Sequence, residues 1–198
     1  MIKKFRQNKT IWFDLINPSE SELKDIFQEL KLDPFKDLRQ GNPLPFVIKK
    51  EKYLITKCLL LNIKQSPNSF YFNINHLENK TIIGDGFIIT IHSEPLSSFE
   101  ELENIFDKKL NISKKNQEII IFSKIIFNVY KKLEKIISDI NYQLEKIGQI
   151  VLDDNDSISK LIKIEKFIKE IENNIFHQTK WLENLKIIKN QKLSQEIL

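Results

Sequence analysis

The chain has 198 residues, of which 41% are hydrophobic and 29% charged, with a formal net charge of +4. These proportions exclude a disordered chain and allow one sizeable domain, or one domain with a helical appendage. The charge does not single out a polyanion partner: lysines and acids are interspersed, only Arg6 and Arg39 carry a guanidinium, and no nucleic acid is expected as a ligand.

In chain order, MIKKFRQNK is followed by only a short apolar run broken by Asp14, so no signal peptide is expected. Ile11 to Asn17 (IWFDLIN) reads as a strand, with aromatic and branched residues around that aspartate. Pro18, Ser19 and Glu22 then open a helix. Ser19 is the expected N-cap, and Glu22 sits at capping-box spacing. Leu23, Ile26, Phe27 and Leu30 give that helix one apolar face. Asp33-Pro34 begins a second short helical piece through Asp37 and Leu38, ended by Gly41, Pro43 and Pro45.

Phe46 to Lys49 and Tyr53 to Leu61 flank the charged turn Lys50-Glu51-Lys52 and predict a hairpin. Phe70 to Leu77 alternates as a strand, followed by a separate short one from Thr81 to Ile83. Gly84-Asp85-Gly86 predicts a tight turn into a strand from Phe87 to His92. Ser98 is placed to cap a helix from Phe99 to about Lys109.

From about Lys114 onward the sequence predicts two long amphipathic helices. Apolar residues recur in steps of three and four from Ile119, Phe122 and Ile126 to Ile147 and Val151, and again from Leu161 and Ile164 to Leu182 and Leu185. The break at Asp153 to Ser157 predicts an antiparallel hairpin. Each helix would run about 50 Å at roughly 1.5 Å per residue, more than a small head can cover. The ending therefore points to assembly or to a missing continuation. No stretch reaches the ~18 uninterrupted apolar residues of a spanning helix, so this portion is not expected to cross a bilayer.

Little of the sequence suggests catalysis. The acidic break fails as a calcium loop: counting from Asp153, the sixth position is Ile158 rather than Gly and the twelfth is Ile164 rather than Glu. Asp156 or Ser157 as an N-cap is the better account. His76, His92 and His177 have no second His or Cys at ligand spacing and read as structural or surface residues. Cys58, the single cysteine, excludes an internal disulfide, fits a reducing compartment and reads as an inert core thiol beside Leu59, Leu60 and Leu61. Ser93 beside His92 implies no triad, and four glycines leave no phosphate-cradling loop. No catalytic or cofactor-binding residue is expected, and the chain is read as a non-enzyme. Trp181 and Phe176 suit either an interface or packing against the first long helix.

These residues in this order resemble a known family. WFDLINPSESELKDIF is similar to the start of the cytoplasmic domain of CorA-type divalent-cation transporters, where Trp-x-Asp-Leu-x-x-Pro-x-x-x-Glu leads into a helix. Leu32 to Leu38, the hairpin holding Glu51-Lys52-Tyr53-Leu54-Ile55, the strand Gly86 to His92, and Tyr130 to Ile136 continue the resemblance over nearly the whole chain. It implies an α/β (α+β) fold with a mixed sheet sandwiched between helical layers, followed by a long antiparallel helical hairpin. The head is expected over residues 1–112 and the hairpin over 113–198, leading to a stalk and two membrane helices absent from this sequence.

The resemblance further implies a cytoplasmic regulatory domain at the inner face of the cell membrane. It would sense intracellular Mg2+ or Co2+, the regulatory and transported ions rather than catalytic cofactors, and gate a channel. A homo-pentamer is implied for the full-length protein, with the fragment a monomer or dimer and membrane contact only through the missing helices. Asp37 matches the family's head-domain metal-sensing aspartate, its second ligand lying outside the chain; the alternative is an exposed acid near a helix end. The rival readings are a soluble interaction protein that binds through its helical hairpin, and the cytoplasmic domain of a zinc-transporting relative.

Overall fold

The structure, a computed structural model, describes residues 1–7, 9–38, 44–65, 72–96, 99, 103, 117–148 and 155–187. Strands β1 (Ile2–Gln7), β2 (Thr10–Ile16), β3 (Phe46–Lys49), β4 (Tyr53–Gln65), β5 (Phe72–Gly84) and β6 (Phe87–His92) form one sheet in the order β1-β2-β6-β5-β4-β3. The helices are α1 (Glu20–Glu29), α2 (Phe35–Leu38), α3 (Gln117–Gly148) and α4 (Asn155–Ile187). All neighbouring strands run antiparallel except β2 and β6, so the sheet is mixed, as expected.

Register explains why this sheet needs a helical layer on each side. Phe5, Trp12, Ile88, Ile83 and Leu54 form one row across five strands. The next row is Lys4, Phe13, Ile89, Ile82, Ile55 and Ile48. Successive residues of a strand point to opposite faces, so both faces are apolar. The first row packs on Ile121, Phe122 and Ile125 of α3 and Trp181 of α4. The second packs on Ile26 and Phe27 of α1 and Leu38 of α2. Burying an Ile or Phe side chain is worth about 1.5–3 kcal/mol, and Ile26 and Phe27 are the α1 side chains buried on this face.

The N-terminus of α1 is built as expected. Ser19 accepts from Glu22 N–H while the Glu22 carboxylate accepts from Ser19 N–H, completing a capping box. Its C-terminus closes with Lys31 N–H on the Gln28 carbonyl and Leu32 N–H on the Phe27 carbonyl. That pattern puts Lys31 at φ 54°, a left-handed position where glycine is usual. Gly86, at φ 77°, makes the β5–β6 turn, and a side chain on Gly84 would collide with the Phe87 ring.

Three expectations need correction. Residues 2–7 form a strand, which the sequence reading passed over. The two strands expected at 70–77 and 81–83 are a single β5, because Glu78, Asn79 and Lys80 continue the ladder opposite Leu59, Cys58 and Lys57. Asp156 and Ser157 lie in the first turn of α4, which begins at Asn155, and so are not its cap. The Ser98-capped helix falls outside the described residues except for Phe99 and Glu103, both helical.

Phe122, near the start of α3, lies 6.0 Å ring to ring from Trp181, near the end of α4. The two helices therefore run in opposite directions. Three large apolar side chains of the two helices face solvent: Phe127 is 65% exposed, Tyr142 59% and Phe176 53%. Among the described residues no helix is long and apolar enough to cross a membrane.

Candidate functional site

Asp37 sits in the single turn of α2. Its N–H and that of Leu38 both reach the Pro34 carbonyl, at 3.0 and 2.9 Å. Leu38 is buried on the sheet, and Phe35 packs edge-on against Phe27 with ring centroids 5.1 Å apart. These anchors carry Asp37 inward, to 6% exposure, so it is not the exposed acid of the alternative reading. The β3–β4 turn approaches from the other side. Lys50 N–H donates to the Tyr53 carbonyl at 2.9 Å, and the Lys50 ammonium lies 3.0 Å from Asp37 Oδ2. The Tyr53 hydroxyl donates to the Asp33 carbonyl at 3.3 Å. Burial raises the Tyr53 phenol above its usual range, helped by the Asp37 charge and opposed by Lys50.

The Asp37 carboxylate is an oxygen ligand of the kind a hard cation takes, and here it is paired with the Lys50 ammonium. The site supplies a single carboxylate, however. Among the described residues no three His, Cys, Asp or Glu side chains come together to hold a metal ion. Beside α2, Lys80 donates to the Leu38 carbonyl at 2.9 Å and pairs with Glu78 at 2.8 Å, while Glu78 also pairs with the buried Lys57. Burial pushes the Glu78 carboxyl up, but hydrogen bonds and charge from Lys57 and Lys80 outweigh it and hold the group below the usual range.

On the opposite face a second set of polar residues is buried beneath the hairpin. Trp12 Nε1 donates to Thr90 Oγ1 at 3.0 Å, and that hydroxyl donates to Asp14 Oδ1 at 2.6 Å. His92 Nε2 lies 2.8 Å from the same oxygen. Asn79 Nδ2 donates to Thr81 Oγ1 at 3.0 Å and lies 3.7 Å from Cys58 Sγ. Burial pushes the Cys58 thiol up to about 12, which keeps it the inert core thiol expected. His92 is thus structural, while His177 is half-buried beside Phe176.

The hairpin is tied to this face through polar contacts. Glu118 at the start of α3 accepts from Gly86 N–H at 2.7 Å and from the Thr10 hydroxyl at 3.4 Å. From α4, Asn174 donates to the Leu59 carbonyl at 3.2 Å, Gln178 donates to the same oxygen, and Trp181 Nε1 donates to Thr56 Oγ1. Trp181 is therefore a packing residue, whereas Phe176 remains exposed.

Against known proteins, residues 7–197 match the family model described as CorA-like Mg2+ transporter protein. The chain belongs to this family. No curated protein matches the sequence. Among solved structures, the CorA-like chain is similar to the complete CorA magnesium transporter from Methanocaldococcus jannaschii, at 16% identity and TM-score 0.70. That match covers 96% of this chain but 58% of the transporter, so the chain spans little more than half its length. The soluble domain of CorA from the same organism matches at 17% identity and TM-score 0.70, over 90% of this chain and 70% of that one. The ZntB cytoplasmic domain from Vibrio parahaemolyticus matches at 11% identity and TM-score 0.73, over 94% and 73%. At these identities the structures establish the fold: that of the CorA soluble domain.

Sequence reasoning placed Asp37 on its short helix but missed Lys50, which it used only as a turn residue. It also missed the Asp14–Thr90–His92 cluster of this CorA-like sheet. The available signal was an aspartate inside an otherwise apolar strand, since such a residue is retained only when it is hydrogen-bonded.

Proposed function

We propose that the chain is the cytoplasmic regulatory part of a CorA-like divalent-cation transporter, with a head over 1–112 and a hairpin over 113–198. On this reading it works at the inner face of the cell membrane, senses Mg2+ or Co2+ and gates a homo-pentameric channel without enzymatic activity. The observation that carries the proposal is the family match over residues 7–197, together with a fold that aligns with most of the CorA soluble domain.

Asp37 is the proposed sensing residue. Its carboxylate is an oxygen ligand of the kind a hard cation takes, one or two to a subunit with waters completing the shell. The second carboxylate would come from a neighbouring subunit, so cation binding would favour the assembled state over the dissociated one. Two features support an assembling hairpin: the exposed Phe127, Tyr142 and Phe176, and an apolar groove of about 590 Å3 lined by Ile119, Phe127, Tyr130 and Leu182.

Thermal melting with Mg2+, Co2+ and Zn2+ in parallel tests the reading. The expected result is a rise in melting temperature with Mg2+ or Co2+ that is lost in Asp37→Ala. A response to Zn2+ alone would favour the zinc-transporting reading, which draws on the likeness to the ZntB cytoplasmic domain. Indifference to all three ions counts against Asp37 as a sensor.

A further inference from the structure

We infer that the apolar groove between the start of α3 and the end of α4 is filled by the chain's own C-terminal segment, residues 189–198, with Leu193 and Ile197 as its anchors. That segment lies outside the described residues. The inference goes beyond the proposed function, because it uses neither Asp37 nor any cation. The groove itself is the first observation. It has a volume of about 590 Å3, and its walls include Ile120, Ile126, Phe127 and Leu182. Phe127 is 65% exposed, while Ile126 and Leu182 rest on the core behind it. An apolar recess of that size, backed by a core, is a surface on which a further element packs.

The second observation is a change of phase in the sequence. α4 buries Ile164, Phe167, Ile171, Asn174, Gln178 and Trp181, in alternating steps of three and four. Continued, those steps fall on Leu185 and Ile188 and then on Lys192 and Gln195, so the apolar seam of α4 stops at Ile188. Apolar residues return out of phase at Leu193 and Ile197, spaced to share one side of a helical turn. The polar run Lys189-Asn190-Gln191-Lys192 separates the two patterns. A segment that leaves the seam of α4 has to bury its own apolar side elsewhere.

Reach selects the groove. α4 ends at Ile187, and Leu182 on the groove wall lies one and a half turns back, about 7.5 Å along the helix axis. The stretch from Ile188 to Leu193 spans up to about 20 Å, enough to double back and set Leu193 beside Leu182. Charge agrees with this placement. Lys124 is the one charged side chain among the described residues lining the groove, and Glu196 is the one acid in 189–198. Filled in this way, the groove serves assembly as part of a completed surface rather than as a socket for a second subunit.

Thiol labelling of the full 198-residue chain, without metal, tests the inference. Lys124→Cys puts a probe in the groove, and Glu134→Cys puts one on an exposed position of α3. Cys58, the single native cysteine, is buried and stays unreactive while the fold is intact, so it reports on unfolding in every variant. Each probe is compared with and without the double change Leu193→Glu/Ile197→Glu, and with the milder Leu193→Ala. The expected result is that Lys124→Cys reacts about tenfold more slowly than Glu134→Cys at every protein concentration. The double Glu change should remove that protection, and Leu193→Ala should remove part of it. Equal reaction of the two probes, or protection that survives the changes at 193 and 197, overturns the inference. Protection that appears only at high protein concentration overturns it in favour of a second copy in the groove. Because no cation is present, either failure leaves the proposed sensing role to its own test.

Discussion

His92 Nε2 and Asp14 Oδ1 lie 2.8 Å apart in the core, joining the neighbouring parallel strands β2 and β6. His92 Nδ1 is 2.6 Å from the Glu94 carbonyl, which only accepts, so Nδ1 carries a hydrogen. Thr90 donates to the same Asp14 oxygen, so one carboxylate oxygen organises two β6 side chains. Removing it strands both. Asp14→Ala should cost about 3 kcal/mol in denaturant unfolding. The double variant with His92→Ala should cost less than the sum of the two single changes.

Trp181 joins α4 to the sheet both by packing on Phe122 and by its bond to Thr56. The two contributions can be separated. Trp181→Phe keeps most of the packing and loses the donor, and should cost about 1 kcal/mol. Trp181→Ala also opens a cavity and should cost about 3–5 kcal/mol. Chemical denaturation followed by circular dichroism reads both.

Glu78 gives a pH dependence whose sign is determined. Its carboxyl is held below an ordinary value of 4.5 in the folded chain. The stability it contributes is therefore present above about pH 4.5 and lost as pH falls through the lower folded value. Because its side chain is 41% exposed, solvent screening keeps the contribution below about 1 kcal/mol. Glu78→Gln should melt lower than wild type at pH 7, and the difference should shrink between pH 5 and pH 3. A gap that widens in acid would overturn this assignment.

Lys31 pays for a left-handed backbone that glycine adopts without strain. Lys31→Gly should stabilise the chain by about 1 kcal/mol, raising the melting temperature by about 2–4 °C. The side chain is exposed, so no packing is lost in exchange.

What could be read from the sequence was what local chemistry decides. The capping box at Ser19 and Glu22, the turn at Gly86 and the long apolar periods after Ile119 each depend on residues within a turn or two of one another. β1 escaped notice because Lys3, Lys4 and Arg6 fill half of a six-residue strand. Its charges are accommodated only in three dimensions, where Lys3 pairs with Glu103 at 2.7 Å and the Lys4 ammonium lies 4.8 Å from the Phe13 ring centre. β5 was divided at Glu78-Asn79-Lys80 because a polar run looks like a break. In the fold those side chains meet partners on both faces of the sheet. The Asp37–Lys50 pair joins residues on separate elements, and the Asp14–His92 pair spans 78 positions. Neither leaves a spacing signal.

Sedimentation velocity with and without millimolar Mg2+ tests the central claim most directly, on wild type and Asp37→Ala side by side. The account predicts that Mg2+ shifts the wild-type chain to a larger assembly and that Asp37→Ala shows no shift. An unchanged sedimentation coefficient in wild type, or the same shift in both proteins, would contradict cation sensing through Asp37.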